Sequence, residues 1–83
     1  MDIEVVIEGV SDSRVVKQIK RTLHRAGKAA NRAGEWSVLL APSEERGVWD
    51  LGVRGPFGRH FVSFTADAAQ LPALVAVQLR ACF

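Results

Sequence analysis

The sequence predicts an α+β fold: a two-layer β-α-β-β-β-α sandwich with a four-stranded, mostly antiparallel sheet and both helices on one face. Three observations predict it. Four short segments alternate between apolar and other residues, the period of a half-buried strand. Two longer segments carry apolar residues at helical spacing. Short links rich in turn formers join the last three strands into a meander. The first strand returns through a helix, and so should lie parallel to a neighbour by a right-handed crossover.

Each element follows from its own residues. In Met1 to Gly9 (MDIEVVIEG), Ile3, Val5 and Ile7 point one way, and Asp2, Glu4, Val6 and Glu8 the other. Ser11, Asp12 and Ser13 are N-cap types whose oxygens can accept from the free N–H groups of a first helical turn, and Asp12 complements the positive end of the dipole. A helix from Ser13 to Gly34 follows. Val15, Val16, Ile19, Leu23, Ala26 and Ala30 fall on one side of it at 100° per residue. Gly27 weakens the helix interior, but both faces keep phase beyond it, so one long helix ending near Gly34 is expected.

Glu35 to Ala41 is the second strand, with Trp36, Val38 and Leu40 on one face and Ser37 and Leu39 on the other. Pro42 to Gly47 (PSEERG) reads as a hairpin loop. Val48 to Arg54 is the third strand, Gly55-Pro56-Phe57-Gly58 a turn with Phe57 at its tip, and Arg59 to Ala66 the fourth strand. In the fourth, His60, Val62 and Phe64 share a face opposite Phe61, Ser63 and Thr65. Asp67 to Phe83 is the second helix, begun by Asp67 or Gln70, with Pro72 tolerated only in its first turn. Trp49, Leu51, Val53, Val62 and Phe64 should join Trp36, Val38, Leu40, Ile3, Val5 and Ile7 in the core. Val16, Ile19 and Leu23 cover them from the first helix, and Leu71, Val75 and Leu79 from the second.

Composition bounds the rest. The 83 residues make a single α+β domain spanning 1–83, and 48% hydrophobic with 24% charged residues is a globular balance. A lone cysteine, Cys82, cannot form an internal disulfide; it reads as a structural thiol, which fits a reducing compartment or a protein that does not rely on disulfides. No apolar run approaches the roughly 20 residues of a membrane span, and the acidic, alternating N-terminus is unlike a secretory signal. A cytoplasmic protein with no membrane association is expected.

No catalytic or cofactor chemistry is visible. His24, between the basic and apolar faces of the first helix, and His60, in a strand, have no Cys or His at zinc spacing, so no metal site is expected. Ser11, Asp12 and Ser13 have no local histidine to make a hydrolytic pair of them. Glu44 and Glu45 read as solvated loop acids, and GVRGPFG joins two strands, whereas a phosphate-cradling glycine loop leads into a helix. The sequence therefore reads as a non-enzyme with no cofactor and no evident small-molecule substrate.

One feature stands out. The stretch SRVVKQIKRTLHRAGKAANRAG holds seven of the eleven Lys and Arg residues and none of the nine Asp and Glu. On the helix, Arg14, Lys17, Arg21, Arg25, Lys28 and Arg32 fall within about 80° of arc, opposite the apolar face. A face that serves only solubility would mix signs, and like charges at this spacing destabilise a helix by a few tenths of a kcal/mol per pair. Phosphate is the natural partner for such a line of cations, by charge and by bidentate geometry.

The layout also resembles the ribosome hibernation-promoting factor family, the ribosomal subunit interface proteins. The resemblance covers most of the chain: MDIEVVIEG as the short first strand, VVKQIKRTLHR in the first helix, VLL, a strand and glycine turn like LGVRGPFGRHFVSF, and TADAAQLPALVAVQLRA as the last helix. Here that last helix is poor in charge, with only Arg80 between Leu71 and Phe83, whereas the family's is usually charge-rich. The resemblance implies a double-stranded-RNA-binding-like domain acting in the decoding channel of the small ribosomal subunit, with the six cations facing ribosomal RNA.

The leading expectation is a non-catalytic nucleic-acid-binding module for structured, ribosomal RNA, with Arg14, Lys17, Arg21, Arg25, Lys28 and Arg32 as its contacts. The alternative is a protein-interaction or homodimerisation module that uses the apolar last helix, with Phe57, Phe61, Leu74, Val77 and Phe83 at the interface.

Overall fold

A computed structural model describes residues 2–30, 34–56 and 58–82. The elements run β1 (Asp2–Ile7), α1 (Ser13–Ala30), β2 (Glu35–Pro42), β3 (Val48–Gly55), β4 (Gly58–Thr65), a 3₁₀ turn (Ala68–Gln70) and α2 (Leu71–Cys82). The sheet order is β1-β2-β3-β4. β1 pairs parallel with β2, and the remaining pairs are antiparallel. The β-α-β-β-β-α order and mixed sheet are those the alternation predicts.

Alternating strand residues supply the core. Trp36, Val38 and Leu40 from β2 and Leu51 and Val53 from β3 are buried with Ile19 and Leu23 of α1 and Leu71, Val75 and Leu79 of α2. Ile3, Val5, Ile7, Trp49, Val62 and Phe64 pack half-buried against them. Both helices therefore lie on one face of the sheet. From α1 it is Val15, not Val16, that joins this cluster. His60 is exposed although it shares the face of Val62 and Phe64, because it sits on the edge strand beside the β3–β4 turn. Trp49 meets its polar need by donating from Nε1 to the Ala66 carbonyl at 3.1 Å.

One boundary departs clearly from expectation: Pro42 closes β2, where the sequence reading begins a loop. The Ser43 N–H donates to Val48 on β3, so the proline nitrogen faces the other way, beyond the end of β1, and costs no ladder bond. The chain leaving β1 passes the Pro42 ring at Gly9, where φ is 76° and a Cβ would lie 2.7 Å from the ring. Of the two expected starts of the final helix, Asp67 and Gln70, the later one is observed. The Asp67 N–H donates to Gln70 Oε1 at 3.0 Å across the 3₁₀ turn, and α2 starts at Leu71 with Pro72 in its first turn. As its continued phase predicts, α1 passes through a buried Gly27 without a break. The anticipated positions Arg32, Phe57 and Phe83 lie outside the described residues, as does the Cys82 side chain.

Candidate nucleic-acid interface

The start of α1 is fixed by Asp12. Its Oδ1 accepts from the Arg14 N–H at 2.9 Å, and its carbonyl accepts from the Val16 N–H at 3.1 Å. This fills the N-cap role expected of the Ser11–Ser13 stretch. The cap sets the helical phase, and Ile19, Leu23 and Gly27 turn inward. Arg14, Lys17, Lys20, Arg21, His24, Arg25 and Lys28 are then all exposed. At 1.5 Å per residue the line from Arg14 to Lys28 is about 21 Å long.

The electrostatics of this face are one-sided. Arg14 Nε lies 3.7 Å from Asp12 Oδ1, an exposed pair of small energetic value. Among the described residues, Lys17, Lys20, Arg21, Arg25 and Lys28 make no ion pair. The first turn of α1 holds no acid, so Arg14 and Lys17 sit at the positive end of the helix dipole, where cations are disfavoured. Lys28, in the last turn, is favourably placed. The helix thus carries a cost of a few tenths of a kcal/mol per like-charged pair that its own packing does not require.

The described face is wider than the sequence reading made it. Lys20 extends the cationic arc to about 140° at 100° per residue, and the exposed His24 falls inside it. The signal was present in the helical phase: both fall beside Lys17, and only the choice of a narrow stripe left them out. The face suits multiple contacts to a polyanion's phosphates. Contacts to phosphate position a protein on nucleic acid and carry no sequence information directly.

Of the residues anticipated as a protein interface, the described Phe61, Leu74 and Val77 are divided between the two layers of the fold. Val77 on α2 is exposed, while Leu74 is half-buried against the core, in the helical layer. Phe61 stands 73% exposed on the opposite, uncovered face of the sheet. That open face holds a shallow depression of about 350 Å³ lined by Val6, Leu39, Gly52, Arg54 and Phe61 among others. Among the described residues, no three His, Cys, Asp or Glu side chains gather as metal ligands, and no helix is long and apolar enough to cross a membrane.

No protein-family model and no curated protein sequence matches the chain. Solved structures do match in fold. A ribosomal subunit interface protein from Coxiella burnetii superimposes with a TM-score of 0.66 at 15% identity, covering 99% of this chain and 92% of that one. The N-terminal domain of Thermus thermophilus Protein Y superimposes with a TM-score of 0.54 at 16% identity, each chain covered in full. The resemblance read from the strand and helix order therefore extends to the three-dimensional fold over the whole chain.

Proposed function

We propose that this domain is a non-catalytic module that binds structured RNA, ribosomal RNA in particular, through the exposed cations of α1. One observation carries the reading: five exposed Lys and Arg side chains on one helix make no ion pair among the described residues. Counterion release from RNA would supply the driving force and compensate the like-charge repulsion built into the helix. The fold shared with a ribosomal subunit interface protein supports the ribosome as the RNA's setting, and with it a cytoplasmic location.

Arg21 and Arg25 stand one turn apart near the middle of the line, so they test the reading best. The double variant Arg21→Glu/Arg25→Glu should lose measurable binding to a short RNA duplex in fluorescence anisotropy at physiological salt. Both side chains are exposed, so the circular dichroism spectrum should stay that of the parent. Parental affinity in the double variant would remove α1 as the binding site.

A further inference from the structure

Three of the large apolar side chains most exposed on the described surface, Val6, Leu39 and Phe61, fall in one row across the open face of the sheet. The register makes the row continuous: Val6 lies opposite Leu39, Leu39 opposite Gly52, and Gly52 opposite Phe61. Gly52 is a notch in it, and even a Cβ placed there would come no nearer than 4.0 Å to the Phe61 ring. The next row is charged and asymmetric. Glu4 on β1 lies opposite Ser37, Ser37 opposite Arg54, and Arg54 opposite Arg59 on β4. Acid stands at one edge of the sheet and base at the other.

We infer that this face binds a second copy of the chain, sheet on sheet, about a two-fold axis parallel to the strands. Such an axis places each β1 over the partner copy's β4. Glu4 then faces the other copy's Arg59, Val6 faces Phe61, and Leu39 enters the notch at Gly52, each relation occurring twice. No other arrangement of charge on the face is needed, because the same rows supply both halves. RNA is the less suitable occupant. Glu4 and Asp50 on this face would repel phosphate, and Asp50 is held there as the acceptor of the Ser63 hydroxyl at 2.7 Å. At about 4.8 Å between strands and 3.3 Å per residue, the face measures roughly 19 by 20 Å, so the pair covers about 800 Å². That area is below the roughly 1,200 Å² of stable specific interfaces and belongs to weak, transient contacts, so the dimer is a reversible one that forms only in the high micromolar range. The α1 faces remain free on the two outer sides of the assembly.

Sedimentation equilibrium from about 10 µM to 1 mM tests this, with circular dichroism to verify the fold of each variant. The parent should shift from monomer to dimer across that range. Phe61→Ser should stay monomeric, and Glu4→Arg or Arg59→Glu alone should weaken association by at least about tenfold through like-charge contact. The combined variant Glu4→Arg/Arg59→Glu should recover it, because each reversed charge again meets its opposite. A monomeric parent at 1 mM, or a combined variant no better than the single ones, would overturn the inference. So would a Phe61→Ser variant that loses RNA affinity while the parent shows no self-association, since that result assigns the face to RNA.

Discussion

Three glycines in or beside the sheet, each changed to alanine, should give three different stabilities from the same added methyl group. At Gly55 a Cβ would lie 2.7 Å from Trp36 Cδ2 and nearer still to Cε3 and Cζ3, so the two cannot coexist without movement. Trp36 is buried at 7% exposure beside Ile3 in the parallel register, which leaves its ring little room to slide. Overpacking of this kind costs typically 1–3 kcal/mol, and about 2 kcal/mol lowers the melting temperature of a domain this size by about 8–16 °C. At Gly47 nothing lies within 4 Å, but φ is 77°, so alanine meets backbone strain alone. That strain is about 1 kcal/mol, or about 4–8 °C. At Gly52 the nearest atom is Phe61 Cδ2 at 4.0 Å, and alanine gains from the reduced freedom of the unfolded chain. Gly52→Ala should therefore melt at or slightly above the parent. Thermal melts followed by circular dichroism at about 10 µM, a concentration chosen to keep the chain monomeric, give the order directly. A Gly55→Ala variant that melts with the parent would refute the packing of Trp36 over the end of β3. A Gly52→Ala variant that falls furthest would refute the strand register.

Two further outcomes follow from the packing of α1. Leu23 is fully buried, so Leu23→Ala should cost about 3 kcal/mol in urea unfolding, seen as a lower midpoint with an unchanged slope. Asp12→Ala removes the acceptor of the Arg14 N–H and should cost about 1 kcal/mol, while Asp12→Asn, which can still cap, should recover most of it in the same titration.

What was legible in the sequence was what local patterning decides. The apolar phase of Ile19 and Leu23 and the alternation of Trp36, Val38 and Leu40 face one core, and each is written in neighbouring residues. The cationic side of α1 was legible for the same reason. Pairings between strands were not. Val6, Leu39 and Phe61 each looked like one apolar residue among polar neighbours on an outer face, and only the register joins them. The place of Pro42 likewise depends on how far β1 extends, and the need for glycine at position 55 depends on a ring nineteen positions earlier in the chain. The interface anticipated around α2 assumed that Phe61 and Val77 share a surface, and the two layers of the fold separate them.

The central claim is that the α1 cations contact RNA phosphates, and the salt dependence of binding tests it most directly. The logarithm of affinity for a short RNA duplex, plotted against the logarithm of salt concentration, should fall steeply. Each phosphate-contacting cation contributes about 0.9 to the slope in duplex DNA, with a comparable effect for duplex RNA. Lys17→Ala, Arg21→Ala and Arg25→Ala should each reduce the slope by about 1, whereas Arg46→Ala, in the β2–β3 loop, should leave it unchanged. Equal slopes for the parent and the three α1 variants would contradict the account.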